Sequence, residues 1–254
     1  MIIDKFKLDG KVALVTGAGQ GLGQGMALAL AEAGADVAGL DLGPSEQTGT
    51  AVRARGRRYK DVLCNLRSTN VDVLNQVVTG IVAELGRLDI LVNNAGIIRR
   101  APAIEFSETD WDDVMAINLK AAFFLSQAAA RAMVKQGGGK IINIASMLSF
   151  QGGVIVPSYT ASKSGVAGIT RALANEWAAK GVQVNGIAPG YVITDNTEAL
   201  QKDPVRYPAI LSRIPAGRWA TPDDFKGAVV YLASPASDYV SGHMLVVDGG
   251  WMGR

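Results

Sequence analysis

The sequence has one cysteine, Cys64, and one histidine, His243, among its 254 residues. A single cysteine forms no internal disulfide, and this pair is too small a ligand set for a zinc or iron–sulfur centre. No metal is expected. A Ser-His-acid triad would have to use His243, which lies in an apolar run near the C-terminus and reads as a packed or surface side chain. Strong charge is missing too. Twenty-five Lys and Arg against 23 Asp and Glu leave +2, too weak a field to gather nucleic acid or an anionic membrane. The one basic cluster (Arg53, Arg55, Arg57, Arg58 and Lys60) reads as a solvated helix end and loop. No apolar run approaches the ~20 residues of a membrane span. Residues 1–10 lack the apolar core and cleavage-like site of a secretory signal. The expectation is a cytoplasmic enzyme with a small-molecule substrate.

What is present is a regular alternation of short apolar runs and longer helical patterns. Residues 12–15, 36–40, 59–63, 90–92, 140–144, 182–187 and 244–247 read as strands. Residues 22–33, 71–85, 107–135, 158–179 and 222–232 read as helices. Gly34, Gly86 and Gly181 stand where helices should stop. Ser107 and Thr221 stand as N-caps, the latter followed by a proline suited to the first helical position. Strands that are apolar throughout belong to a parallel sheet covered on both faces. Right-handed crossovers make such a sheet doubly wound. The expected fold is α/β: a single-domain Rossmann-type doubly wound parallel sheet with helices on both faces, spanning residues 1–254. The stretch 188–218, with four prolines, reads as a long irregular loop over the substrate.

The first strand runs into Thr16-Gly17-Ala18-Gly19-Gln20-Gly21-Leu22-Gly23. A strict GxGxxG fails, because Leu22 occupies the third glycine position; TGxxxGxG fits. Glycines there allow a tight turn and close approach of a pyrophosphate to the free N–H groups of the next helix. Asp41 ends the second strand, where a carboxylate can accept from both adenosine ribose hydroxyls and would repel a 2′-phosphate. Ala18, Gly19, Gln20 and Leu42 offer no cation in exchange. NAD is the expected cofactor.

Four further stretches converge on the carboxyl ends of the strands, where open α/β sheets bind ligands. They are Asn93-Asn94-Ala95-Gly96, Asn118, Ser146, and Tyr159 with Lys163. Tyr159 and Lys163 are four apart and share a helix face. Removing the proton of an alcohol needs a base, and a free tyrosine titrates near ~10. Bringing it to ~7 asks for about 4 kcal/mol of differential stabilisation, expected from Lys163 and a cationic nicotinamide. Ser146 can hydrogen-bond the substrate oxygen.

Taken together and in order, these motifs resemble the short-chain dehydrogenase/reductase family, from about Leu8 to Trp251. The resemblance implies catalysis by Asn118, Ser146, Tyr159 and Lys163, with Asn118 in a water relay toward Lys163 and Lys163 also on the nicotinamide ribose. It implies pyrophosphate contacts at Gly17, Gln20, Gly21, Leu22 and Gly23. Asn94, Ala95 and Gly96 match the adenosine side; Pro189, Gly190, Val192 and Thr194 match the carboxamide side. Asn65-Leu66 departs from the family's Asp-Leu, and the Asn65 carbonyl is kept as a probe of the adenine amino group. Asn93 reads as a structural hydrogen-bonder.

Three longer segments, 97–100, 141–163 and 213–219, resemble the branch of that family acting on 2-dehydro-3-deoxy-D-gluconate. A sugar acid needs a cation for its carboxylate. Arg100 is the expected partner, with Arg99, Arg213 and Arg218 as competitors, and Gln151 is expected on a sugar hydroxyl. The alternatives are a 3-oxoacyl-carrier-protein reductase, disfavoured by Asp41, and a non-catalytic dinucleotide-binding protein, which has no need of Tyr159. Ala161, Gly165, Gly168 and Ala172 form a stripe of small residues on the catalytic helix, and the resemblance implies a homotetramer packed through it.

Overall fold

Seven short runs rich in Val, Ile and Leu become the strands of one parallel sheet in the computed structural model, which describes residues 1–254. They are Val12–Thr16 (β1), Asp36–Asp41 (β2), Tyr59–Leu63 (β3), Ile90–Asn93 (β4), Gly139–Ile144 (β5), Val182–Pro189 (β6) and Met244–Val247 (β7). The order is β3-β2-β1-β4-β5-β6-β7. The winding therefore reverses between β1 and β4, which pair directly, Val15 opposite Val92. A crevice opens at the carboxyl ends of those two strands.

The helices are Gly21–Glu32 (α1), Glu46–Arg53 (α2), Val71–Leu85 (α3), Glu108–Met115 (α4), Ala122–Lys135 (α5), Pro157–Trp177 (α6), Glu198–Gln201 (α7), Arg206–Leu211 (α8) and Lys226–Ala233 (α9). Alternate residues of each strand point to opposite faces, and both faces are apolar. Leu14, Leu91 and Val184 pack with Leu74 and Val78 of α3, Leu125 and Met133 of α5 and Leu173 of α6. Val15, Val37 and Ile142 pack with Met26 and Leu30 of α1 and Val229 and Leu232 of α9. Gly86 and Gly181 close their helices in left-handed conformation. No helix is long and apolar enough to cross a membrane.

Three features depart from expectation. Residues 107–135 are one helical run, capped by the Ser107 hydroxyl accepting from the Asp110 amide at 3.1 Å. Its middle, Ala116–Ala121, is a π-helix. Helix α2 was not expected, because its Thr48-Gly49-Thr50 centre has poor intrinsic helix propensity; burial of Thr48, Gly49 and Val52 holds it instead. The stretch 188–218 is not wholly irregular. It carries α7 and α8, too short to be stable alone. A separate small core of Met147, Ile210, Ile214, Trp219 and Trp251 supports this region, with Tyr207 stacked on Trp219 at 5.3 Å between ring centres.

Candidate active site

The glycine loop forms one wall of the crevice. Gly17 and Gly21 take left-handed backbone angles, φ 65° and 56°. At Gly23 a Cβ would lie 1.9 Å from the Gly17 carbonyl oxygen, so any side chain would push α1 off the turn. Gln20 caps α1 in extended conformation without a side-chain bond to its amides. Leu22, behind them, is half-buried against the core under α1. The Asn94 amide donates to the carbonyls of Thr16, at 2.9 Å, and Gly17, at 3.2 Å. Asn94 thus braces the turn itself. The Thr16 hydroxyl accepts the Ala95 amide at 2.9 Å. Thr194 leans over the same loop, its Cγ2 lying 3.6 Å from where a Gly21 Cβ would be. Val192, buried, bridges to Ala220. Gly190, after Pro189, has no room for a side chain, since a Cβ would meet the Asp248 backbone at 2.7 Å.

Asp41 faces Gly19. One carboxylate oxygen accepts the Gly19 amide at 2.9 Å, the other the Leu42 amide at 2.8 Å. Leu42 is 72% exposed and supplies no charge. A cradle closed to side chains at Gly23, with a carboxylate at the end of β2, fits an extended dinucleotide. The adenine end fits less simply. The Asn65 carbonyl oxygen already accepts the Arg67 amide at 3.0 Å, so one of its two acceptor positions is spent. Leu66 is buried in the main core beside Leu74.

Helix α6 begins with Pro157 at its first turn and brings Tyr159 and Lys163 to the mouth of the crevice. The Lys163 ammonium lies 5.6 Å from the Tyr159 ring centre. It donates to the Ile144 carbonyl at 2.6 Å, at the end of β5. Burial holds Lys163 down to about 8. Burial pushes Tyr159 up from its ordinary value; hydrogen bonding from Ser146 and the charge of Arg100 oppose that rise. The Lys163 ammonium lies beside the ring and is bonded to the Ile144 carbonyl; the depression expected of the phenol also draws on a nicotinamide charge.

Asn118 sits in the π segment and is buried. Its amide nitrogen donates to the Ile97 carbonyl at 3.0 Å and the Ser162 hydroxyl at 3.1 Å, and its oxygen accepts the Ile97 amide at 2.9 Å. With both amide hydrogens committed, Asn118 could serve a water relay toward Lys163 only through its main chain or the second acceptor position of its side-chain oxygen. It pins the segment after Gly96, whose Cα faces Asn118 and Lys163. Asn93 is the structural bonder expected, donating to the Ala122 carbonyl, Ser126 and Asn143.

The four arginines sort by partner. Arg99 pairs with Asp110 and Asp113. Arg218 forms a two-point pair with Asp224, which holds that carboxyl far below its usual range. Arg213 lies 4.0 Å above the Trp251 ring. Arg100 alone acts on Tyr159 and has no carboxylate partner; its one bond is to the Asn196 carbonyl at 3.0 Å. Arg206 of α8, which the sequence did not single out, acts on Arg100 and Tyr191; its guanidinium forms no salt bridge, though its charge and its amide act on Asp203. Its only sequence signal was membership of the 188–218 stretch. Gln151 is partly committed: its oxygen accepts the Trp251 indole at 3.1 Å, leaving its amide hydrogens free. His243 is exposed, and Cys64 is buried and free.

Comparison with known proteins agrees with this geometry. The family described as enoyl-(acyl carrier protein) reductase matches residues 17–252. The chain is 58% identical over 255 residues to the 2-dehydro-3-deoxy-D-gluconate 5-dehydrogenase of Escherichia coli K12, covering both chains completely. A candidate 2-deoxy-D-gluconate 3-dehydrogenase from Agrobacterium tumefaciens, solved with NADP, is 53% identical with TM-score 0.92, over 98% of this chain and 99% of that one. A gluconate 5-dehydrogenase from Burkholderia cenocepacia, in complex with NADP and tartrate, is 39% identical with TM-score 0.95 over the whole of both. The protein is an oxidoreductase and belongs to the short-chain dehydrogenase/reductase family.

Proposed function

We propose that this chain interconverts a secondary alcohol and a ketone on a deoxy-keto sugar acid, 2-dehydro-3-deoxy-D-gluconate, with NAD(H) as cofactor and Tyr159 as acid/base. The observation that carries the reading is the convergence on one phenol of a hydroxyl, Ser146, and a guanidinium without a carboxylate, Arg100. A hydroxyl beside the phenol suits an alcohol or ketone oxygen, and the free cation suits a carboxylate. The activities for which the similar proteins are named support the substrate class.

When bound in the glycine-loop cradle, the dinucleotide supplies or takes the hydride. Gly17, Gln20, Gly21, Leu22 and Gly23 would hold the pyrophosphate and Asp41 the adenosine ribose. Asn65, Leu66, Asn94, Ala95 and Gly96 would line the adenosine side, and Pro189, Gly190, Val192 and Thr194 the carboxamide side. In the oxidative direction Tyr159, as phenolate, takes the hydroxyl proton. Ser146, whose oxygen accepts the Leu148 amide at 3.1 Å, would turn the proton it shares with the phenol toward the substrate oxygen. Lys163 keeps two donors beyond the one spent on Ile144, and these would meet the nicotinamide ribose. Arg100 holds the carboxylate, with Arg206 beside it, and the Gln151 amide is left for a hydroxyl. In reduction each proton moves the opposite way.

Asp41 supports NAD(H). The NADP-bound relatives favour a second reading in which both cofactors are used. Steady-state turnover of the sugar acid with each cofactor tests the proposal. A marked preference for NAD(H) supports the first reading, comparable efficiencies the second, and no turnover with either removes the substrate assignment.

A further inference from the structure

The six residues from Ile144 to Ser149 grip Lys163 at both ends. The Ile144 carbonyl takes the ammonium at 2.6 Å. Ser149 donates its hydroxyl proton to the main-chain carbonyl of the same lysine at 2.7 Å. The Ser149 oxygen in turn accepts the Ser146 amide at 3.3 Å, while the Ser149 amide donates back to the Ser146 carbonyl at 2.9 Å. A hydroxyl has one proton to give, and here the Lys163 carbonyl is its acceptor. The direction of the chain is therefore fixed: Ser146 amide to Ser149 oxygen, Ser149 proton to Lys163 carbonyl. A mid-helix carbonyl already serves the amide four residues on. The extra donor from Ser149 links the short helical turn Met147–Ser149 to α6 at the lysine whose ammonium faces the crevice.

We propose that Ser149 is a positioning residue, which sets the Ser146 hydroxyl against Tyr159 by tying the turn after β5 to the backbone of Lys163. The proposal rests on the catalytic reading of Ser146 given above. Ser146 is extended, with φ −163°, and it heads a three-residue turn of which only Met147 is fully buried. From the turn itself two side-chain bonds reach α6, the 2.7 Å Ser149 bridge and a weaker 3.4 Å contact from the Ser164 hydroxyl to the Leu148 carbonyl. Hydride and proton transfer both depend on the placement of the substrate oxygen, and a misplacement near 1 Å can cost ~10²-fold in rate.

The test is a double-mutant cycle in the full-length protein with the sugar acid and NAD(H). Ser149→Ala should lower kcat about tenfold, change KM for the acid less than kcat, and leave NADH binding, followed by fluorescence titration, unaltered. Ser149→Thr, which retains the hydroxyl, should restore most of the rate. In a Ser146→Ala background, Ser149→Ala should cost less than about twofold, because no hydroxyl remains to be positioned. An equal loss in both backgrounds, or no loss in either, overturns the proposal. A silent Ser146→Ala identifies failure of the catalytic reading separately. Thermal melts of all four proteins distinguish a lost fold from a lost alignment.

Discussion

Lys163 donates its ammonium to the Ile144 carbonyl at 2.6 Å inside the protein, with its acid constant held down to about 8 by burial. The site thus keeps a charge where water has been removed, which costs stability. Between about pH 8 and the ordinary lysine value near 10.5, the unfolded chain binds more protons than the folded one. Stability must then rise with pH across that window. Lys163→Met should be more stable than the parent at pH 7, by about 2 kcal/mol after the lost hydrogen bond is set against the removed charge. The difference should shrink by pH 9.5. Denaturant unfolding at the two pH values measures it; a methionine variant less stable at pH 7 contradicts the argument.

Arg100→Met removes the guanidinium that acts on Tyr159 without a carboxylate of its own. KM for the sugar acid should rise at least tenfold, since truncating one partner of a charge pair costs about 2–5 kcal/mol. KM for an uncharged ketone should barely move, and NADH affinity should be unchanged. Arg206→Met should give the same pattern, more weakly. Equal losses with both substrates would make Arg100 a structural residue.

Asp41 accepts the Gly19 and Leu42 amides, and in the proposed binding mode its charge would face a 2′-phosphate. Asp41→Ala should narrow the gap between NAD(H) and NADP(H), chiefly by improving NADP(H). Measured kcat/KM ratios that do not move would take Asp41 out of cofactor choice.

We propose assembly through the small-residue face of α6. In the single chain a side chain at Gly165 would meet Leu119 of the π segment, whereas one at Gly168 would enter open space. Gly168→Arg therefore has room in the subunit and replaces a poor helix former. It should convert a tetramer to a smaller species in sedimentation at micromolar concentration. An unchanged tetramer would move the interface elsewhere.

Much of this was legible in the sequence because backbone physics is local. The apolar run of β1 and the stop glycines Gly86 and Gly181 each state their conformation within a few residues. The glycine loop also announces itself, since a Cβ at Gly23 has nowhere to go. What was hidden depends on distant partners. Arg218 meets Asp224, Arg99 meets Asp113, and Arg213 meets Trp251; only folding separates them from Arg100. The π segment at Asn118 carries no proline or glycine to announce it. Helices α7 and α8 owe their place to aromatic packing from Trp219 and Trp251, not to a helical pattern. The direction of the Lys163 ammonium, set by the carbonyl of a residue on β5, has no signature in the YxxxK spacing.

In the proposed reaction the Tyr159 phenol carries the proton. Tyr159→Phe keeps the ring and its packing and removes only the hydroxyl. Turnover of 2-dehydro-3-deoxy-D-gluconate with NAD(H) should fall by ~10²–10⁴, while NADH titration shows undiminished affinity. A phenylalanine variant that turns over the sugar acid at near the parent rate would remove Tyr159 from the proton transfer.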